Sequence, residues 1–478
     1  MRNFDTEVQY LKYRVLRTVS KHAFKGTLIK QLPNIPKEII PGPKPTTRCC
    51  VYKERAIVNE RIRMALGGNP ENPNVIEVID IACDECPVGG YQVSESCRGC
   101  IAHRCEAACK FGAIYFDRNK RAHIDKEKCV ECGACSKVCP YSAIANSKRP
   151  CENACKVKAI TMDANHTAVI NNDKCIQCGA CVYQCPFGAI VDKSYILDVV
   201  EMLKNKEEVF AILAPSFAAQ FGTATVGQVV TAIKLLGFTN VVEAALGADI
   251  AAVYEAQELA EKGFLTTSCC PAFVNFVKGN YPNLVQYISH NLSPMAIMGK
   301  VIKEQYPNAK TVFIGPCTAK KAEAKKDNVK EYVDCVLTFE EIFALFKAQE
   351  ISLKTLPETN LDDATLFGRI FARSGGVTEA IAQSIKEQNL NVEFNPIACE
   401  GIENLRIVLA KANKGLLPNN FIEGMICNGG CIGGPCALTH DVKGKNLIDK
   451  HASQSSKKEI VKNINNFNLL EPTITKSS

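Results

Sequence analysis

Short apolar runs alternate with amphipathic stretches over most of the C-terminal half of the chain. From about Lys204 onward, apolar runs of four to six residues are followed by loops and helical patterns, which is typical of buried strands in an α/β domain. The predicted strands are Glu208 to Leu213, Thr311 to Ile314 and Tyr332 to Leu337. Because open α/β sheets bind ligands at strand ends, we expect a site in the loops that follow these strands.

Helix signals in the same region agree with this alternation. Thr338 and Glu341 form a capping box directly after the third strand, and Gly375-Gly376 precede another helical stretch. Residues 204–450 are therefore predicted to form an α/β domain with mixed sheets. Of the remaining segments, residues 1–80 carry an amphipathic helix and a Pro-rich linker, and residues 451–478 form a Lys-rich tail.

Twenty-six cysteines among 478 residues require an explanation other than packing. Disulfides would need an oxidising compartment and a secretory signal. The first residues lack an apolar core, because charges interrupt them from Arg2 to Lys21, and no later apolar run is long enough to span a bilayer. We therefore expect a cytoplasmic protein without a membrane span, whose reduced thiols bind metal.

The formal net charge of +7 does not indicate a nucleic-acid partner. It counts every cysteine as neutral, whereas a cubane held by four thiolates carries a net charge of about −2. Several cubanes would cancel the excess of Lys and Arg, and no basic run is interleaved with aromatic residues. The sequence therefore predicts no nucleic-acid binding.

Two complete cysteine runs of the bacterial ferredoxin type follow one another in the chain. In such runs the first three thiolates bind one [4Fe–4S] cubane and the fourth binds a second. Zinc is the weaker explanation, because Cys-Pro endings and a following Ala-Ile are ferredoxin features. Residues 81–195 are thus predicted to be an α+β ferredoxin-like multi-cluster domain, made of two tandem two-cluster units. The runs are Cys129, Cys132, Cys135 and Cys139, and Cys175, Cys178, Cys181 and Cys185.

An internal repeat accounts for the other cysteines of this segment. A four-cysteine run precedes the first complete run, and a shorter one, Cys151 and Cys155, precedes the second. Two alternatives stay open for the last of the sets: Cys49-Cys50 in place of Cys83 and Cys86, or three cubanes only. The cross-ligation rule and, for the fourth set, elimination predict these ligands: Cys97, Cys100, Cys105 and Cys139; Cys109, Cys129, Cys132 and Cys135; Cys155, Cys175, Cys178 and Cys181; and Cys83, Cys86, Cys151 and Cys185.

Three separate loops of the C-terminal half carry further thiols. A plain electron-transfer cubane usually takes three ligands from one compact run, so a scattered set indicates a metal site between segments of a large domain. The segments are Thr267-Ser268-Cys269-Cys270-Pro271, Gly315-Pro316-Cys317-Thr318-Ala319-Lys320 and the Gly-rich stretch from Glu423 to Gly434. They resemble the three signature motifs of the [FeFe]-hydrogenases, over roughly residues 205 to 440.

The resemblance implies a cubane tied to a two-iron [2Fe] subcluster with carbon monoxide, cyanide and a bridging dithiolate. By motif position the cubane ligands are Cys270, Cys317, Cys427 and Cys431, and Cys431 bridges to the two-iron unit. Ser216, at the end of the first predicted strand, and Met425, in the third motif, are further cofactor-binding candidates.

The resemblance also implies catalytic residues. Cys269 stays unligated and passes protons to the bridging amine, and Lys320 binds a cyanide ligand. Proton-relay positions match Glu323, Ser289, Glu255 and Glu258, although for the last two an exposed helix face is an alternative. The chain departs from the usual motifs at Phe273, Gly315 and the residue before Cys427.

The sequence thus predicts a hydrogenase that interconverts dihydrogen with protons and electrons, the electrons passing through the N-terminal cubanes. A hydrogen-sensing protein and a cubane-only iron–sulfur assembly protein are the alternatives. Expected partners are a ferredoxin-like electron carrier and the maturation proteins that supply the two-iron unit.

Overall fold

A computed structural model describes residues 4–86, 89–441 and 443–466. The part of the chain before the first ferredoxin-type run is mostly helical. Helix α1 begins at a capping box in which Thr6 accepts from Gln9 N and the Gln9 side chain accepts from Thr6 N. The elements are α1 (Glu7–Phe24), α2 (Leu28–Gln31), α3 (Ile35–Ile39), α4 (Val51–Ala65), β1 (Ile76–Val78) and α5 (Asp80–Cys83).

The cysteine-rich segment folds into short helices and strands. Each complete run turns through a glycine into a five-residue helix; at the first, Gly133 has φ +73°, and a Cβ there would lie 2.3 Å from the Tyr91 hydroxyl. The elements are β2 (Tyr91–Val93), α6 (Arg104–Ala107), β3 (Ile114–Phe116), β4 (Ala122–Ile124), α7 (Ala134–Val138), β5 (Ile144–Asn146), α8 (Pro150–Ala154), β6 (Ile160–Met162), β7 (Ala168–Ile170), α9 (Ala180–Gln184) and β8 (Ile190–Asp192).

Strand pairing shows that the two ferredoxin units are nested. The first unit contains the antiparallel pairs β2–β5 and β3–β4. The second contains β6–β7 and β1–β8, so its opening strand comes from residues 76–78, ahead of the first unit. The tandem arrangement predicted for residues 81–195 is refined accordingly: β1 and the Cys83–Cys86 turn supply what the shortened repeat lacks.

The remaining elements form the α/β domain, with short 3₁₀ turns at Pro215–Ala219, Pro282–Tyr287, Leu353–Thr355 and Gly430–Gly433. They are α10 (Ile196–Lys204), β9 (Val209–Leu213), α11 (Val226–Leu235), β10 (Asn240–Glu243), α12 (Ala244–Lys262), β11 (Leu265–Thr266), α13 (Pro271–Asn280), α14 (Pro294–Gln305), β12 (Lys310–Gly315), α15 (Thr318–Glu323), β13 (Cys335–Thr338), α16 (Phe339–Ala348), α17 (Leu366–Ile370), α18 (Gly376–Glu387), β14 (Pro396–Glu400), α19 (Ile402–Asn413), β15 (Phe421–Met425), α20 (Gly444–Ser453) and α21 (Ile460–Asn466).

Two parallel sheets organise this domain. One has the order β10-β9-β12-β13 and the other β11-β15-β14, and helical crossovers connect their strands in the way that parallel pairing requires. The sheets are thus parallel rather than mixed. The three strands expected from the apolar runs are β9, β12 and β13, and the Thr338–Glu341 capping box opens α16 as expected.

Both ends of the described chain pack onto the α/β domain. Helix α1 buries Val15, Leu16 and Val19 and packs against α16. At the other end, α21 packs against α12 and α18 with Ile460 and Ile464 buried, so the expected tail is folded as far as residue 466, and residues 467–478 lie outside the described residues. Within the described residues, no helix has the length and apolar character needed to cross a bilayer.

Candidate functional site

The three C-terminal thiol loops meet around one buried cavity of about 100 Å³. Each loop follows the carboxyl end of a parallel strand: the first comes after β11, the second directly after β12 and the third after β15. Cys270 and Cys317 are the residues immediately before α13 and α15. All eight of these predicted residues line the cavity: Cys269, Cys270, Cys317, Cys427, Cys431, Lys320, Ser216 and Met425.

Four of the thiols influence one another strongly. Burial, then the charges of Cys270 and Cys431, raise the pKa of Cys317 to about 12. Burial and then Cys270 raise the pKa of Cys431 to about 12. Burial, Cys317 and Cys270 raise the pKa of Cys427 well above its usual value. Four thiols that cannot ionise together in isolation become thiolates when they share a cation, so the donor set suits an iron–sulfur cubane.

The rest of the cavity fits a small anionic metal unit beside that cubane. Its walls are largely apolar and include Met295, Phe313 and Phe371. The Ser216 hydroxyl is fully buried and, among the described residues, has no hydrogen-bond partner. An orphaned donor of this kind in an apolar cavity requires an acceptor, which a ligand of a bound metal unit would supply.

The Lys320 side chain brings an ammonium group to the same cavity. Its Nζ lies 2.6 Å from Glu323 Oε2, and both side chains are buried. Burial alone would lower the pKa of Lys320, but Glu323 and the thiols of Cys317 and Cys269 raise it above its usual value. Lys320 therefore stays charged. Glu323 contacts Lys320, and it also lines an open cavity of about 550 Å³ that Ser289, another predicted relay residue, lines too.

A chain of polar groups starts at Cys269. Burial, then the charge of Glu255, raise the pKa of Cys269 well above its usual value, so it remains a thiol. Glu255 is 1% exposed; its Oε1 accepts from Ser268 N at 3.4 Å, and its Oε2 has no hydrogen-bond partner among the described residues. Burial raises the pKa of Glu255 to about 8, so this carboxyl group carries a proton at neutral pH.

Ser289 and Glu258 continue the chain toward solvent. Ser289 Oγ donates to Glu258 Oε2 at 3.0 Å, and Ser289 is also close enough to Glu255 to lower the pKa of that carboxyl group. Glu258 Oε1 pairs with Lys262 Nζ at 2.7 Å on the next turn of α12. Ser289 also lines the open cavity of about 550 Å³. The structure therefore places Glu255 and Glu258 between the buried site and solvent, rather than on an exposed helix face.

The sixteen cysteines from Cys83 to Cys185, which we call the ladder, gather into the four sets expected from the sequence. The outer group is Cys97, Cys100, Cys105 and Cys139; the medial group is Cys109, Cys129, Cys132 and Cys135; the proximal group is Cys155, Cys175, Cys178 and Cys181; the junction group is Cys83, Cys86, Cys151 and Cys185.

The junction group was the one expected only by elimination. Burial, followed by Cys185, Cys83 and Cys86, raises the pKa of Cys151 to about 12, so these thiols are neighbours. Cys50 instead caps α4, with its Sγ 3.5 Å from Lys53 N. The structure thus assembles Cys83 and Cys86, and not Cys49-Cys50, with Cys151 and Cys185.

The proximal group adjoins the C-terminal cavity. The pKa of Cys427 is raised in part by Cys178, which places the two thiols near one another. Thr318 Oγ1, next to Cys317, donates to Gln177 O at 2.8 Å. A Cβ at Gly179, whose φ is +76°, would lie 2.5 Å from Pro435. The two metal sites are therefore in direct contact through their loops.

Sequence reasoning missed several residues of the site. Glu423, in the third motif, is fully buried and accepts from Gly375 N at 2.7 Å and Thr378 N at 2.8 Å, so it caps α18 and fixes the strand that carries Cys427. Lys262 had a readable signal, because it lies four residues after Glu258 on one helix. Ser216 was among the predicted cofactor-binding residues, but its lack of a hydrogen-bond partner within the described residues appears only in the structure.

Three regions of the chain match families of known proteins. Residues 207–435 match the family described as iron only hydrogenase large subunit, C-terminal domain. Residues 96–143 match the 4Fe-4S dicluster domain, and residues 168–191 match the 4Fe-4S binding domain. A solved structure of [FeFe]-hydrogenase HydA1 from Chlamydomonas reinhardtii aligns with a TM-score of 0.47 and 20% identity, covering 57% of this chain and 95% of that one.

Curated relatives include hydrogenases and assembly proteins. Iron hydrogenase 1 from Clostridium pasteurianum is 30% identical over 51% of this chain and 52% of its own length. The periplasmic [Fe] hydrogenase large subunit of Nitratidesulfovibrio vulgaris is 29% identical over 66% of this chain and 86% of its own length. Cytosolic iron-sulfur assembly component 3 of Rattus norvegicus is 25% identical over 39% of this chain and 49% of its own length. The chain thus spans about half the length of the first and third. The chain thus carries matches to 4Fe-4S domains ahead of a region that matches the C-terminal domain of the iron only hydrogenase large subunit.

Proposed function

We propose that the protein is an [FeFe]-hydrogenase that interconverts dihydrogen with two protons and two electrons. One observation carries the proposal: a thiol that is not needed for the cubane, Cys269, lies on the same cavity as four clustered thiols and connects outward through buried acids. An electron-transfer cubane has no use for a buried proton path, whereas dihydrogen chemistry needs one.

Residues of the chain would hold the cofactor as follows. Cys270, Cys317, Cys427 and Cys431 bind the cubane, and Cys431 also tethers the two-iron unit. Lys320 and Ser216 donate to the cyanide ligands, while Met425 and the apolar walls exclude water. When bound, the two-iron unit with its carbon monoxide, cyanide and dithiolate ligands supplies the redox-active metal and a basic amine.

Proton movement is assigned to side chains of the chain. Cys269 donates its proton at the cavity and is reprotonated from Glu255, whose unpartnered Oε2 is available for that transfer. Ser289 and Glu258 restore the proton on Glu255 from solvent, where Lys262 and the open cavity lie. Glu323 holds Lys320 in place.

Electrons enter at the far end of the ladder. The pocket formed by the outer group is also lined by Arg98, Arg104 and Tyr141. Ile101, in the same segment, is 98% exposed. We call these four residues the carrier surface. An apolar centre with a basic rim suits an acidic one-electron carrier such as a ferredoxin-like protein. Maturation proteins are required as partners, because this chain has no means of making carbon monoxide or cyanide ligands.

A cubane-only assembly protein is the second candidate, because proteins of that kind are among the curated relatives. Such a protein has no need of a second metal unit at Cys431 or of a proton donor at Cys269. A hydrogen sensor would use the same cofactor, and steady turnover separates it from an enzyme. A reducing cytoplasm suits the chain, since thiols that hold cubanes must not be oxidised to disulfides.

An infrared spectrum of the matured, anaerobic protein tests the proposal, because bound carbon monoxide and cyanide absorb where protein does not. We expect those bands, hydrogen evolution with reduced viologen, and about twenty-two irons per chain. Cys431→Ser should lose the bands and keep the ladder cubanes, because a hydroxyl is a poor ligand for soft iron. Cys178→Ser should impair one ladder cubane and keep the infrared bands. Maturation that yields a full set of cubanes without infrared bands or turnover would favour the assembly protein.

A further inference from the structure

The junction group differs from the other ladder groups in the charges buried around it. Helix α4 lays Ile57, Arg61 and Met64 against the core that contains Cys83, Cys151 and Cys185. Arg61 is 5% exposed and Arg149 is 2% exposed. Two guanidinium groups are therefore removed from water next to four thiols.

Arg61 is the more unusual of the two. Its Nη2 donates to Phe187 O at 3.1 Å, but its Nε and Nη1 have no hydrogen-bond partner within the described part of the chain. Burial lowers the pKa of Arg61 to about 10, and the one charge that opposes this effect is that of Cys185. A buried guanidinium with two orphaned donors requires an anion beside it.

Two more arginines reach the same group. Arg149 Nη1 lies 3.7 Å from Cys83 Sγ, and its Nη2 is 3.4 Å from Cys86 O. Arg48 lies 5.0 Å above the Phe187 ring and donates to Ala82 O at 3.1 Å. Arg48 and Arg61 repel one another, as the lowered pKa of Arg61 shows. Glu85 compensates Arg48 at 3.4 Å, whereas neutral thiols would leave Arg61 without an anion; a cubane with a net charge of about −2 supplies one.

The outer group lacks this feature. Arg98 and Arg104 line it, but both are exposed, so water and salt screen their charges. A backbone N–H four residues on donates to the last cysteine of each complete run, for example Ala143 N to Cys139 Sγ and Ala189 N to Cys185 Sγ. That contact is common to both units, so the buried arginines are what sets the junction group apart.

We propose that the junction group holds the ladder cubane of highest reduction potential, and that Arg61 and Arg149 set that potential. Reduction adds one negative charge to the cluster, and buried cations with donors aimed at its sulfurs stabilise that charge. Burial acts in the opposite direction, but it also removes the solvent that would screen the arginines. The group adjoins the proximal group, since Cys151 contributes to the raised pKa of Cys181.

This placement deepens the proposed function by giving the relay an electron store. Two electrons are consumed for each dihydrogen formed from two protons, whereas a ladder cubane accepts one electron at a time. A high-potential cubane next to the proximal group holds one electron until a second arrives. The inference rests on the relay role, but its test does not depend on hydrogen turnover.

A redox titration followed by electron paramagnetic resonance, on full-length protein carrying its cubanes, provides the test. With dithionite as reductant, the first cubane signal to appear should be absent from Cys86→Ala and present in Cys132→Ala. At the wild-type midpoint of that signal, Arg61→Met should lower the ratio of reduced to oxidised cluster about tenfold, which corresponds to about 59 mV for one electron. Arg149→Gln should shift it in the same direction and serves if Arg61→Met does not fold.

Arg63→Met is the matched control. Arg63 lies on the same helix but pairs with Glu60 at 2.8 Å and Glu77 at 3.0 Å, so it should leave every midpoint unchanged. Survival of the first signal in Cys86→Ala would overturn the assignment of the cluster. An unchanged ratio in both arginine variants would overturn the role of the arginines. A protein without hydrogenase activity still gives either result.

Discussion

Cys269 and Cys270 are neighbours with opposite tasks. Cys270 precedes α13 and faces the other three clustered thiols, whereas Cys269 lies on the side of Glu255. We expect Cys269→Ala to keep all iron and the infrared bands yet lose hydrogen turnover by about a hundredfold or more, because a positioned proton donor is removed.

The measurements are iron content, the infrared spectrum and hydrogen evolution on one preparation. Cys335→Ala is the control. Cys335 is a buried thiol on β13, and its Sγ lies 3.6 Å from Tyr195 O. Wild-type turnover by Cys269→Ala with a full metal load would contradict the donor role.

Glu255 gives the reaction a pH dependence. Its folded-state pKa of about 8 lies above its ordinary value, so the proton is held below pH 8 and is lost as the pH rises through that value. Hydrogen evolution should therefore fall with an apparent pKa near 8, and Glu255→Gln should lower the rate about a hundredfold and remove this step from the profile. Glu261→Gln, on the exposed side of α12, should keep the wild-type profile. A wild-type rate that is flat between pH 7 and pH 9 would exclude Glu255 as the titrating donor.

Residue spacing was enough to predict the thiols but not the groups that act on them. The resemblance of three separate motifs indicated the four cavity thiols, and the internal repeat indicated the ladder sets, whose ligands mostly lie close together in sequence. Arg61 carries no such signal, since it becomes unusual only when distant segments bury it. The relay role of Glu323 stays a prediction: its carboxylate bonds Lys320, and it also lines the open cavity that Ser289 lines.

At the scale of elements, α1 fastens the ladder to the α/β domain. Lys12 Nζ bonds Asp192 on β8 and lies 2.6 Å from Glu340 on α16. Asp192 also accepts from Lys321 Nζ at 2.8 Å, and Cys436 lies within the same cluster. A buried network of this kind depends on every partner, because a missing cation leaves carboxylates without compensation.

Lys12→Met should therefore destabilise the protein by about 3–5 kcal/mol. Chemical denaturation, followed by the visible absorbance of the cubanes and by circular dichroism, measures this loss. Lys21→Met, near the other end of the same helix, should cost no more than about 1 kcal/mol. Equal effects of the two substitutions would mean that α1 stabilises by apolar packing alone.

Elements with a regular apolar pattern were predictable and those inside the motifs were not. β9, β12 and β13 are runs of buried apolar residues, and the capping box marks α16. Strand β15 (Phe421–Met425) was not predicted, because Glu423 and Gly424 interrupt its apolar pattern although both are buried. The three-residue strands of the ladder are too short for any period to show.

At the scale of the whole molecule, the proposed docking of an electron carrier on the carrier surface is testable. Ile101→Glu places a negative charge where an acidic carrier would dock, so hydrogen evolution driven by reduced ferredoxin should fall about tenfold or more, whereas that driven by reduced viologen should not change. Ile407→Glu, at a 59% exposed apolar position on α19, is the control. Equal ferredoxin-driven rates in the two variants would place the docking surface elsewhere.

The nested strand order has a consequence for how such relays change length. The first unit leaves and re-enters the second at one point, where Ser147 N donates to Gly90 O at 2.9 Å. Its two ends are thus already joined by a backbone hydrogen bond, and a two-residue glycine bridge could replace residues 91–146 without moving either neighbour. The two cubanes of the first unit can therefore be inserted or removed together. The α/β domain and the junction and proximal groups would keep their contacts.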